Sequence, residues 1–396
     1  MKRLKPTTPY TQVSRLKFRL GGESIDVACK PGLPGWDHLS PATLLIGEQI
    51  TLLSESRVFY LGCGNGAGAV AVGKQLINGQ LWLHDIHFIA MQLSAQTMHL
   101  NRVPNTHLLP DINLPAELVD TFDVAVIELP KGRKLAQHWL VQAFSALKTS
   151  GTLYLSGANR QGIMPVVDDA EKLFGEAVVL GYKKGNRLVR FQKKRPELPE
   201  EGWPRTQGIA PHTWHTFTIE ARAGSFEICS LPGIFSFDRL DEGTQLLLDS
   251  LPDLNHQRVL DLGCGFGAIG LVAARSGAAA VDMVDTNLLA VAAAQMNIDQ
   301  QGLTNARAIA SDVLSSVTDK KYDLILSNPP FHTGGEVDYQ VAQAFIEQSY
   351  AALETGGRLY LVANRFIRYE KIIGMYFQQV EQVAQSTRFH VLCGKK

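Results

Sequence analysis

Apolar positions along the chain fall into short, nearly continuous runs that end abruptly in glycine, acid or proline. Val259-Leu-Asp-Leu262, Val281-Asp-Met-Val284, Tyr322-Asp-Leu-Ile-Leu326 and Arg358-Leu-Tyr-Leu-Val362 read this way. Runs that apolar suit strands buried on both faces of a parallel sheet. A further strand closes at Ile309-Ala-Ser-Asp312. Between these runs, longer amphipathic stretches predict helices over 242–250, 268–276, 288–301 and 341–353. Two short strands, 216–219 and 226–229, precede them around a turn at Ala223-Gly224, and a hairpin over about 377–392 follows. Alternating strands and helices predict an α/β fold with a doubly wound, mainly parallel sheet and a C-terminal antiparallel hairpin.

The same pattern occurs twice. Val58-Phe-Tyr-Leu-Gly-Cys-Gly-Asn-Gly66 echoes Val259-Leu-Asp-Leu-Gly-Cys-Gly-Phe-Gly267. Phe122-Asp-Val-Ala-Val-Ile-Glu-Leu-Pro130 echoes Tyr322-Asp-Leu-Ile-Leu-Ser-Asn-Pro-Pro330, and Gly151-Thr-Leu-Tyr-Leu155 echoes Gly357-Arg-Leu-Tyr-Leu361. Three matches in the same order predict one domain fold used twice. The predicted boundaries are 1–195 and 212–396, with the proline- and glycine-bearing segment 196–211 as linker. The copies differ where chemistry would sit. Tyr60 stands at the position of Asp261, and Glu128-Leu-Pro-Lys131 replaces Asn328-Pro-Pro-Phe331. The first copy therefore reads as catalytically silent, although Gly62, Gly64 and Gly66 persist.

Composition narrows the class. A chain of 396 residues, 45% hydrophobic and 19% charged, fits two globular domains. No apolar run approaches the ~20 residues that cross a bilayer, and Met1-Lys-Arg-Leu-Lys-Pro is not followed by the apolar segment of a signal peptide. The five cysteines (Cys29, Cys63, Cys229, Cys264, Cys393) form no CxxC pair, so free thiols in a reducing cytoplasm are expected.

The zero net charge hides an asymmetry: residues 1–200 hold 23 Lys+Arg against 17 Asp+Glu, and residues 201–396 hold 15 against 21. Arg15, Lys17 and Arg19 alternate with apolar residues as on an edge strand. Lys183, Lys184, Arg187, Arg190, Lys193, Lys194 and Arg195 form a second acid-free cluster. Such runs are often merely solvated, but beside base chemistry they point to a polyanionic partner.

The chemistry gathers at the predicted carboxyl ends of the strands, where open α/β sheets bind ligands. Pro329 and Pro330 stiffen the turn after 322–327 and hold Asn328 extended at its edge. An amide oxygen, the neighbouring Pro329 carbonyl and the Phe331 ring could receive a planar group bearing an NH2. Asp261-Leu-Gly-Cys-Gly-Phe-Gly267 is a strand-to-helix turn whose glycines let a ligand approach the backbone. Asp285, about twenty residues after those glycines, is placed to take both hydroxyls of a ribose. Asp312 suits an adenine amino group. Because Ala268 occupies the last glycine of a dinucleotide fingerprint, a different nucleoside is indicated.

This order of residues resembles the class I S-adenosylmethionine-dependent methyltransferases that modify exocyclic amines. Leu231-Pro-Gly-Ile-Phe-Ser236, Asn328-Pro-Pro-Phe-His332 and the tandem repeat look like the bacterial ribosomal RNA guanine-N2 methyltransferases, with the Leu231-Pro-Gly turn nearer the 16S branch. The resemblance implies two Rossmann-like methyltransferase domains, the first degenerate. It places the methionine part of S-adenosylmethionine against Gly263, Gly265 and Gly267, the ribose on Asp285 and the adenine amine on Asp312. Asp261 would anchor the loop. Asn328 and the Pro329 carbonyl would hold the guanine N2 amine while Phe331 stacks on the base.

Other reactions use the same corner, notably methylation of 23S rRNA, of adenine N6 or of a glutamine amide. A different class of reading is a non-catalytic RNA-binding assembly factor. The implied partner is ribosomal RNA or an assembling ribosomal subunit, met by a monomer with no membrane association and no metal. His84-Asp-Ile-His87 has the spacing of a metal pair, but with no third ligand it is expected on the surface. Cys63 and Cys264 are expected as small turn residues, and His332 as a packing or substrate-edge residue.

Overall fold

The computed structural model describes residues 9–329 and 339–396. The backbone forms two compact units, Met1–Thr213 and Trp214–Lys396. The first contains β1 (Ser14–Leu20), β2 (Glu23–Cys29), α1 (Pro41–Gln49), β3 (Arg57–Leu61), α2 (Ala67–Gly73), β4 (Gln80–His84), α3 (Phe88–Leu100) and β5 (Thr106–Leu108). It continues with β6 (Phe122–Glu128), α4 (Arg133–Ala146), β7 (Leu147–Ala158), α5 (Ile163–Phe174), β8 (Val178–Lys183) and β9 (Asn186–Gln192).

The second unit contains β10 (His215–Ala221), β11 (Gly224–Ser230), α6 (Glu242–Asp249), β12 (Arg258–Leu262), α7 (Ala268–Arg275), β13 (Ala280–Asp285) and α8 (Leu288–Gln300). It ends with β14 (Ala306–Ala310), β15 (Tyr322–Ser327), α9 (Tyr339–Ala352), β16 (Leu353–Asn364), α10 (Tyr369–Ile373), β17 (Gln379–Gln385) and β18 (Phe389–Lys395).

Each unit holds a two-stranded antiparallel ribbon and a seven-stranded sheet. The large sheets run β5-β4-β3-β6-β7-β9-β8 and β14-β13-β12-β15-β16-β18-β17, the same order used twice. In both, five strands are parallel and the closing hairpin is antiparallel. The expected tandem α/β architecture is thus present. The central strands are apolar because helices cover both faces: Val259, Leu260, Met283, Val284, Leu324, Ile325 and Leu326 are all buried. Helix α7 lies so close to β13 that a Cβ on Gly270 would come within 2.5 Å of Met283 Cε.

The strand order reverses between β12 and β15, which opens a crevice at their carboxyl ends. One local difference from the sequence reading bears on that crevice. Strand β14 stops at Ala310, so Asp312 lies beyond the strand and its N–H donates to Ser315 Oγ at 3.1 Å. Residues 196–211, expected as a linker, belong to the first unit: Pro204, Ile209 and Ala210 are buried there, and His212 N–H donates to Asn113 Oδ1 at 3.4 Å. No helix among the described residues is long and apolar enough to cross a membrane.

Candidate active site

The parallel strands β14, β13, β12 and β15 bring the sequence-predicted residues to one edge in the order Asp312, Asp285, the 261–267 turn, Asn328. Ser327 Oγ donates to the Leu262 carbonyl at 2.7 Å, which ties the ends of β15 and β12 together. Asp285 braces the glycine turn with both oxygens. Oδ2 accepts from Gly265 N at 2.9 Å and Oδ1 from Asn287 N at 2.8 Å. Gly263 N and Cys264 N donate to the Val284 carbonyl, so the turn is held on both sides.

The glycines of this turn do different work. Gly263 and Gly265 have φ of +77° and +55°, yet an added Cβ would meet nothing closer than Phe345 at 3.8 Å and Ile234 at 3.9 Å. Their open side leaves room for a ligand against the backbone, and so the cradle fits the methionine part of S-adenosylmethionine. Gly267 has a packing reason instead: its Cβ would press on Ala294 and Met283 at 3.2 Å.

Asp261 is fully buried. Its Oδ2 accepts from Gly270 N at 2.8 Å, while Oδ1 has no partner among the described residues. Burial, with the Asp285 charge adding a smaller push, raises its pKa to about 7 against the pull of the Gly270 N–H. A carboxyl raised above its unfolded value stabilises the fold fully below about pH 4, and that contribution disappears as pH climbs through about 7. Asp261→Asn should therefore gain stability relative to wild type on going from pH 5 to pH 8, by at most about 1.4 kcal/mol per pH unit. Thermal melts across that range check it; a constant difference refutes it.

Asn328 is held by residues that sequence reasoning missed. Its Nδ2 donates to Thr244 Oγ1 at 2.9 Å and to Asp241 Oδ2 at 3.2 Å. A carboxylate can only accept, so Asp241 dictates which end of the amide faces it. Both amide hydrogens are thereby used, and the side-chain oxygen is presented as an acceptor. Asp241 also caps α6 by accepting from Thr244 N at 3.0 Å. The signal was available: Asp241-x-x-Thr244 has the spacing of a helix cap, and Ser40-x-x-Thr43 repeats it in the first copy. Nearby, Asn287 Nδ2 donates to the Gly233 carbonyl at 2.9 Å, which anchors the Leu231-Pro-Gly turn beside Asp285. Pro329 is buried. Phe331 and His332 lie outside the described residues.

The first unit shows what has replaced the chemistry there. Asp85 repeats the Asp285 bracing, accepting from Gly64 N at 2.9 Å and His87 N at 3.0 Å. Where Asp261 sits in the second unit, Tyr60 is fully buried and donates to Glu128 Oε1 at 2.6 Å. Thr43 donates to Glu128 Oε2 at 2.9 Å. A Cβ on Gly68, the counterpart of Ile269, would lie 2.2 Å from the Tyr60 hydroxyl. A Cβ on Gly62, the counterpart of Gly263, would meet Trp139 at 2.8 Å, so a side chain closes that part of the turn.

Several expected surface residues are placed otherwise. His84 is not on the surface; it is buried, with Nδ1 hydrogen-bonded to the Leu109 carbonyl at 2.9 Å, and burial lowers its pKa. Lys193 leaves the basic cluster as well, because its ammonium is buried against Asp120 and the Leu147 carbonyl. Lys183 pairs with Glu48 and Arg15 with Asp26, while Arg187 donates to Asn159 and lies over Tyr182. Lys17 and Arg19 on β1, with Lys184 and Arg190 around the β8–β9 hairpin, remain exposed. All five cysteines are free and buried, and burial raises the Cys63 and Cys264 thiols well above their usual range.

A family model described as the methyltransferase small domain matches residues 24–190 and again 225–393. Fold and site together define a class I S-adenosylmethionine-dependent methyltransferase built from two copies of that domain. Ribosomal RNA small subunit methyltransferase C of Psychromonas ingrahamii is 33% identical over 273 residues, spanning 68% of this chain and 75% of that protein. Its namesake in Pseudomonas entomophila is 35% identical over 271 residues, spanning 68% and 78%. A solved structure described as the T. thermophilus 16S rRNA N2 G1207 methyltransferase (RsmC) in complex with AdoMet and guanosine matches with a TM-score of 0.82, at 28% identity over 98% of each chain. The chain belongs to the ribosomal RNA small subunit methyltransferase C family.

Proposed function

We propose that this chain, acting in the cytoplasm, methylates the exocyclic N2 amine of a guanosine in 16S rRNA. The observation that carries the reading is Asn328, whose amide is oriented by Asp241 and Thr244 at the carboxyl edge of β15. S-adenosylmethionine supplies an electrophilic methyl group when bound. The residues fit it as the sequence order implies: Gly263 and Gly265 around the methionine part, Asp285 at the ribose and Asp312 at the adenine amine.

A guanine amine is a weak nucleophile because its lone pair is delocalised into the ring. Asn328 Oδ1 and the Pro329 carbonyl each accept one of its N–H bonds, which favours pyramidal nitrogen and aims the lone pair at the methyl group. The base must first be extruded from any helix or stack. No base is needed before transfer, since the N–H acidity rises once the methyl has arrived.

The basic first unit would meet phosphates and set register without reading sequence. Among its exposed cations, Lys17, Arg19, Lys184 and Arg190 are ones to test. Reversing all four should raise KM for RNA about tenfold and flatten its salt dependence, with S-adenosylmethionine affinity unchanged. An unaltered KM would limit the first unit to a structural role. The reaction itself is tested by mass-spectrometric mapping of rRNA from a deletion strain. One N2-methylguanosine should vanish from 16S rRNA; full retention of every such site overturns the assignment.

A further inference from the structure

Strand β16 leaves the sheet at Asn364 on the same edge as Asn328, because β15 and β16 run parallel with Ser327 opposite Leu361. The next residues, Arg365-Phe-Ile-Arg368, make a fixed turn. Ile367 N–H donates to the Asn364 carbonyl at 2.9 Å, and Arg365 N–H to the Arg388 carbonyl at 3.0 Å. Ile367 and Tyr369 are buried and pin the turn from beneath, whereas Phe366 is 69% exposed. Arg365 and Arg368 on either side of it are exposed too.

Neither of those guanidinium groups has an ion-pair partner among the described residues. Elsewhere in the unit Arg258 is held by Asp323 and Glu354, and Arg307 by Asp282. Two unpaired arginines around a solvated ring are conspicuous in a half-chain with 15 Lys+Arg against 21 Asp+Glu. The turn is also continuous with the catalytic amide. Arg388, bonded to Arg365 through the backbone, donates to Glu242 at 3.1 Å, and Glu242 follows the Asp241 that orients Asn328.

An aromatic face flanked by fixed cations is what single-stranded nucleic acid recognises: the ring stacks on a base and the guanidinium groups meet phosphates. We infer that Arg365, Phe366 and Arg368 hold an unpaired nucleotide of the substrate RNA beside the target guanosine. Phe366 stacks on its base, and the two arginines contact the phosphodiesters around it. This rests on the RNA-methylating function proposed above, and it gives the acidic catalytic unit an RNA grip of its own.

The test uses the full chain carrying R365Q/R368Q, F366A, F366Y or F366L. Methyl transfer to unmethylated 16S rRNA transcript and to unmethylated small subunits is followed over a salt series. S-adenosylmethionine affinity and melting temperature are measured alongside. The double arginine variant should raise KM for RNA about tenfold and reduce the salt slope by roughly one to two charges. F366A should cost about tenfold in kcat/KM, F366Y should restore it and F366L should not, since stacking and not bulk is at issue. Values within twofold of wild type, equal rescue by F366L, or a parallel loss of S-adenosylmethionine affinity and melting temperature each overturn the inference. Anisotropy with a labelled single-stranded RNA of about 12 nucleotides reads the patch without any reaction. If wild type methylates neither substrate but the variants still weaken this binding, the RNA contact stands and the proposed reaction falls.

Discussion

Asn328→Ala should bind S-adenosylmethionine within about twofold of wild type and turn over about 10²–10³ more slowly, the range seen when one preorganised transition-state contact is removed. The asymmetry follows from position. Asn328 sits across the crevice from the Asp285 cradle, and in the proposed reaction its oxygen accepts from the substrate amine, an interaction that strengthens only as that nitrogen becomes pyramidal. The isosteric Asn328→Asp should be no better. Asp241 Oδ2 now accepts a hydrogen bond from the amide at 3.2 Å, and a carboxylate there would instead face it with a second negative charge. Single-turnover rates with saturating cofactor decide the matter. If Asn328→Ala keeps near-normal turnover, the amine is oriented by another group.

The complementary result is expected at Asp285. Asp285→Ala should leave no measurable S-adenosylmethionine binding by isothermal titration while the protein stays folded. Sequence reasoning counted only the ribose contact. The structure adds two backbone N–H groups, Gly265 and Asn287, that lose their acceptor at the same time. Hydrogen bonds to charged groups are worth about 1.5–3 kcal/mol each, so losing the ribose contact together with the brace removes a hundredfold or more in affinity. Asp285→Asn should fall between, because its single oxygen can brace only one of the two amides. Wild-type affinity in Asp285→Ala would sink the assignment of this cradle.

Much of this was legible before any coordinates, for a physical reason. A parallel strand buried on both faces must be apolar throughout and must end in residues that cannot continue it. The edge of the sheet is therefore written directly into the chain as Asp261, Asp285 and Asn328. What could not be read were contacts between residues distant in sequence. Thr244 and Asp241 lie 84 and 87 positions from Asn328, and only the docking of α6 brings them to it. The charge clusters misled in the same way: Lys193 and Lys183 are cationic in sequence, but the fold spends one on Asp120 and the other on Glu48. His84 was misplaced because the end of a buried strand is itself buried when a neighbouring loop, here at Leu109, supplies its partner.

The Tyr60–Glu128 pair of the first unit limits what either position can become. Glu128 is half-buried, desolvation raises its pKa, and it accepts from the hydroxyls of Tyr60 and Thr43. An aspartate at position 60 alone would remove one of those donors and set a second carboxyl group in the fully buried place of the Tyr60 ring. An asparagine at 128 alone would take away the carboxylate to which the Tyr60 and Thr43 hydroxyls donate. Tyr60 and Glu128 are therefore coupled: a change at either one leaves the other without the partner that the fold now gives it.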